Sequence, residues 1–150
     1  MSDLSKFKIH LDIQLRFRDT DAMGHINNAA YLSYLELARM QYWETLSGSR
    51  DYSLVDFILV RAEIDYRSAA KLGDFVRVYI RVNRLGRSSW DFEYKVLDQS
   101  SGRLIAEAKT VQCSFDYAKS KVKRLDPAMR RKIAEFEDIP AGGEPAVKAA

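Results

Sequence analysis

The sequence predicts an α+β fold in which a strongly twisted antiparallel sheet of five strands curls around one long helix. Three observations predict it. The apolar residues between Asn28 and Leu46 cover too wide an arc for a surface helix, so that helix needs burial on several sides. Around it stand runs of apolar and polar alternation, the period of strands with one buried face. Connections between the later runs are short and carry glycine, which favours hairpins.

Taken in order, "HLDIQLRFRD" sets Leu11, Ile13, Leu15 and Phe17 on one side and Asp12, Gln14, Arg16 and Arg18 on the other. A polar stretch, "DTDAMGHINN", ends that strand and leads into the helix with Tyr31, Leu32, Tyr34, Leu35, Leu37, Ala38, Met40, Tyr42 and Trp43. Alternation returns in Ile58 to Tyr66, in Val76 to Val82 and in Trp90 to Val96, followed by a fifth run, "RLIAEAKTVQCSFDY", whose mixed faces fit a strand less cleanly. Asp126 as N-cap and Pro127 in the first turn predict a short terminal helix in "LDPAMRRKIAEFED". The expectation is a single domain over 1–150, with a folded body from about 7 to 138 and a loose tail over 139–150. A strand as regular as Trp90 to Val96, placed at a sheet edge, invites pairing with another copy and favours a symmetric dimer.

A hydrophobic content of 47% with 30% charged residues is that of a globular chain, and a net charge of +3 gives no field for polyanions. Nucleic acid is therefore not an expected partner, and "KSKVKR" with "MRRK" is too short a basic signal to change that. Cys113 is the single cysteine, so no intrachain disulfide forms. With only His10 and His25 beside it, one chain cannot build a thiolate or imidazole metal cage. "MSDLSKFKIH" lacks the apolar core of a signal peptide, and no apolar run approaches the roughly 20 residues that cross a bilayer. A soluble protein of the reducing cytoplasm is expected, with no membrane partner.

The polar stretch concentrates Asp19, Asp21, Gly24, His25, Asn27 and Asn28 immediately before the most hydrophobic helix. A helix start offers backbone N–H groups without intrahelical acceptors and a partial positive charge from the dipole. Aspartate and asparagine there commonly serve as turn and capping residues. Either use is open from the residues alone.

"DTDAMGHINNAAYLSYLELAR" resembles the signature of the hotdog-fold acyl-CoA thioesterases of the 4-hydroxybenzoyl-CoA thioesterase type, and "IDYRSAAKLGDFVRVYIRVNRLGRSSWDFEYKVLD" is similar to that family's later hairpin region. The likeness runs roughly from Ile9 to Tyr117. Ala69 stands where many relatives carry proline, and Met23 where the related plant acyl-carrier-protein thioesterases carry asparagine, so the catalytic set of the latter is not carried over. The resemblance implies a hotdog fold and hydrolysis of an acyl-CoA to a free acid and CoA, with no cofactor and no metal.

By that resemblance Asp21 is the general base or the nucleophile, the backbone amide of Asn28 polarises the thioester carbonyl, and His25 is a further candidate catalytic residue. Gly24 would let the backbone pass close to the ligand. Arg84 and Arg87, flanking the turn in "NRLGRS", are candidates for the CoA phosphates, and Ser88 for a ligand contact. Asp19 reads as structural, Glu36 and Arg39 as a local ion pair. Tyr31, Tyr34 and Trp43 read as core or dimer-contact residues, part of whose surface can line an acyl tunnel. The partners implied are an acyl-CoA and a second copy of the chain, in a homodimer or a tetramer. Two other functions remain open: an enoyl-thioester hydratase or dehydratase on the same fold, and a non-catalytic acyl-CoA-binding module.

Overall fold

The computed structural model describes residues 3–52 and 56–142. Its elements run β1 (Ile9–Asp12), a 3-10 turn (Phe17–Asp19), α1 (Ala30–Ser47), β2 (Phe57–Tyr66), β3 (Val76–Leu85), β4 (Ser89–Asp98), β5 (Arg103–Asp116), β6 (Lys121–Val122) and α2 (Pro127–Glu137). All pairings are antiparallel. The sheet is ordered β1-β3-β4-β5-β2, and β6 adds a short sixth strand beside the end of β5.

α1 forms because Tyr31, Tyr34, Leu35, Ala38, Tyr42 and Leu46 recur at helical spacing and are all buried. They meet the inward residues of β3 and β4, Val76, Val78, Ile80 and Val82 against Trp90, Phe92, Tyr94 and Val96, each at most 1% exposed. Gly48 ends the helix in the left-handed conformation at φ 70°. The burial is one broad face rather than the all-round enclosure expected. Leu32 and Leu37 stay 47% and 43% exposed on the other side.

Three expectations are corrected. The first strand stops at Asp12, and Phe17, placed on its buried face from the alternation, sits in the 3-10 turn at 83% exposure. The Trp90–Val96 run is not an edge: β4 is hydrogen-bonded to β3 on one side and β5 on the other. The edges are β1 and β2, and β2 is the exposed one, with Leu59, Val60 and Tyr66 at 45%, 51% and 45%. Its alternation has no second layer to face within one chain.

The fifth run is a strand after all. A bulge between Val96 and Leu97 leaves Ile105 extra on β5, so Ile105 and Ala106 are both buried and the alternation changes phase there. Asp126 caps α2 by accepting the Met129 N–H at 3.2 Å, with Pro127 at the first helical position, as expected. The tail beyond Gly142 lies outside the described residues.

Candidate active site

Residues 19–28 form a tight loop clamped at both sides. Thr20 bridges Ile26 within it, and His25 bridges Lys71 outside it. The Asn27 N–H donates to the Asp19 carbonyl at 2.7 Å, and the Ile26 N–H to the Ala70 carbonyl at 2.8 Å. Below the loop Asp19, 6% exposed, accepts from Arg16 at 3.0 Å and from the Tyr34 hydroxyl at 2.9 Å. Burial pushes its carboxyl up, but these donors outweigh it and hold the net shift below the usual carboxylate range. This is the structural role expected of Asp19.

Asp21 uses one oxygen locally. Oδ1 accepts the N–H groups of Met23 at 2.8 Å and His25 at 3.1 Å, closing a turn in which Gly24 takes φ +76°, a conformation a side chain would strain. Oδ2 has no partner among the described residues. The capping use of aspartate and a free carboxylate oxygen thus coexist in one side chain.

Asn27 prepares the helix start: its Oδ1 accepts from Ala29 at 2.9 Å and its carbonyl from Ala30 at 2.9 Å. The Tyr66 hydroxyl donates to the Asn28 carbonyl at 3.0 Å, which fixes the plane of that peptide from the end of β2. The Asn28 N–H itself has no acceptor among the described residues. Asp21, His25, Asn28, Tyr31, Tyr66 and Ser68 line a single cavity of about 390 Å³, in the size range of small-molecule sites. Burial, then the neighbouring Tyr66, push the Tyr31 phenol up to about 12, so it enters the site as a neutral hydroxyl.

Arg84, Arg87 and Ser88 do not join this cavity. They lie at the end of β3 and in the turn after it, whereas the Asp21 loop is tied to the segment before β3; the ten residues of that strand separate the two by about 30 Å. Arg84 is engaged by Asp91 at 2.7 Å and Ser89 at 3.0 Å. The cations nearest the cavity are Arg67, in its wall, and Lys71, bridged to His25. Both sit in the "YRSAAK" stretch, whose only signal in the sequence was its likeness to the family. Glu36 and Arg39 form no ion pair among the described residues; Arg39 donates to the Tyr94 hydroxyl at 3.1 Å instead. No cluster of metal-ligating side chains is present among the described residues.

The long-chain acyl-CoA thioesterase FadM of Escherichia coli is 27% identical over 129 residues, covering 83% of this chain and 96% of that protein. A 1,4-dihydroxy-2-naphthoyl-CoA hydrolase of Crocosphaera subtropica is 27% identical over 111 residues, covering 68% and 78%. Among solved structures, a thioesterase of Thermus thermophilus complexed with coenzyme A and zinc superimposes with a TM-score of 0.80 at 35% identity, covering 90% of this chain and 98% of that one. With the thioesterase-like superfamily model matching residues 15–133, the chain belongs to that family and has its hotdog fold.

Proposed function

We propose that the protein is an acyl-CoA thioesterase, hydrolysing the thioester of an acyl-CoA to a carboxylic acid and CoA. One observation carries the reading: a carboxylate oxygen without a partner, an amide N–H without an acceptor and the positive end of an 18-residue helix open on the same cavity. A thioester needs little activation beyond a nucleophile and a stabilised oxyanion. Asp21 Oδ2 supplies the first, either by taking a proton from water or by attacking the carbonyl itself. The Asn28 N–H, with its peptide held by Tyr66, and the dipole of α1 supply the second. His25 and the hydroxyl of Tyr31 stand beside them as further donors. Gly24 shapes the turn that presents Asp21.

The relatives support thioester hydrolysis, but their names span long-chain and naphthoyl substrates and leave the acyl group undecided. CoA phosphates call for cations outside the cavity. Arg67 and Lys71 are available in the same chain, and Arg87 is one that only a second copy could bring there. The second copy itself follows from β2, whose outer backbone edge is unpaired and whose apolar side chains are exposed; antiparallel pairing with the same strand of another copy satisfies both by two-fold symmetry. No described helix is long and apolar enough to cross a membrane, and a lone, half-buried Cys113 suits a reducing cytoplasm.

The test is thiol release from a panel of acyl-CoAs. Asp21→Asn should keep the fold and lose about 100-fold to 10,000-fold in kcat, the range for a removed general acid or base. An undiminished kcat in that variant would remove Asp21 from the mechanism. Hydration of an enoyl-CoA without thiol release would establish the hydratase reading instead, and tight binding with no turnover the binding-module reading.

A further inference from the structure

Two more cavities follow α1 away from Asp21. The nearer one, about 530 Å³, lies between α1 and the start of β2, with Glu36, Met40, Trp43 and Phe57 in its wall. The farther one, about 430 Å³, shares Trp43, Tyr52 and Phe57 with it and ends on Trp90, Leu125 and Met129. α1 and β2 run in opposite senses: Tyr66 at the end of β2 holds Asn28 ahead of α1, and Trp43 near the end of α1 packs on Phe57 at the start of β2. The cavities are therefore strung along one line from Asn28 to Trp43, about 22 Å at the rise of a helix.

The farther cavity is apolar by construction. Trp43, Phe57 and Trp90 pack against one another with ring centroids 5.5, 5.7 and 5.5 Å apart. The indole N–H groups of Trp43 and Trp90 are buried and meet no acceptor, so the wall offers ring carbon and no donor. A polar occupant would leave its own groups unpaired there, whereas hydrocarbon would not. At the rim Asp51, Asp56 and Asp126 face a single Lys123, a balance that repels a phosphate or a terminal carboxylate.

We propose that this aromatic cavity is the distal compartment of the acyl slot and makes the enzyme selective for a long, unsubstituted acyl chain, with Trp43 as the specificity-determining residue. The inference rests on the thioesterase reading and names its substrate class. The thioester lies at Asp21 and Asn28, and the chain runs along α1 until its end meets Trp43, Phe57 and Trp90. Each methylene buried there favours the longer substrate by about 0.8 kcal/mol.

Both tryptophans of the chain line this cavity, so intrinsic fluorescence reports its occupancy. Saturated fatty acids of increasing length, titrated into the wild-type protein, should change the emission saturably when long and leave it unchanged when short. Ser47→Phe, at the rim and remote from Asp21, should abolish that change. It should also lower the long-to-short ratio of kcat/KM at least about tenfold, with the short-chain rate intact. Trp43→Ala should admit bulkier, branched chains. An emission that ignores a long acid which nevertheless inhibits, or a chain-length ratio unmoved in Ser47→Phe, overturns the inference. If no acyl-CoA releases thiol at all, the thioesterase reading fails instead, and the fluorescence titration still decides what the cavity holds.

Discussion

Asp19 commits both carboxylate oxygens to Arg16 and Tyr34, whereas Asp21, two positions on, commits only Oδ1 to its own turn. The difference predicts opposite mutational signatures. Asp19→Ala should lower stability by about 2 kcal/mol, measured by urea unfolding, because the Tyr34 hydroxyl is left buried without its acceptor. Asp21→Asn should cost far less stability and most of the turnover. Tyr66→Phe should leave unfolding nearly unchanged and lower kcat about tenfold, since a freed Asn28 peptide no longer aims its N–H; an unaltered kcat would show that Tyr66 only packs. The sequence made the two aspartates look alike, and only the helix phase of Tyr34 beneath Asp19 separates them. Tyr66, Arg67 and Lys71 were less legible, because nothing in a strand end and its loop reveals that a distant helix start lies beside it.

At the level of elements, the long helix, the hairpin strands and capped α2 were readable because their periods and caps are local properties. The sheet order was not. β4 and β2 alternate equally well in sequence, yet β4 is buried between two neighbours while β2 has one. Alternation states which face a residue takes and is silent on how many strands flank it. β5 was obscured by its bulge and by Thr110, Gln112 and Ser114, polar residues that face inward, fully or almost fully buried. Gln112 and Thr110 satisfy one another and the Trp90 carbonyl, which no pattern of hydrophobicity can signal. The exposed edge carries its own prediction: Val60→Lys should dissociate the protein to monomers in sedimentation velocity while the far-UV spectrum of one chain is kept. Retained association in that variant would place the contact between copies elsewhere.

For the whole molecule, acid stability follows from carboxylates with charged or hydroxyl partners. Hydrogen bonds from Arg77 depress Asp12, those from Lys95 depress Glu107, and the Ser101 hydroxyl depresses Asp98. A depressed folded value stabilises above the unfolded value, near 4, and the contribution is lost as pH falls through the folded value. Glu137 has the opposite sign: burial pushes it up while it accepts from Tyr42 and the Val82 N–H, so its contribution is present at low pH and lost as pH rises through its folded value. Urea midpoints against pH should therefore fall below about 4 for the wild type, and Glu137→Gln should flatten only the higher-pH limb. The bare backbone along β2 has a further consequence. Where folding is completed by self-association, dilution competes with it by mass action. The melting temperature of this protein should therefore climb as its concentration is raised.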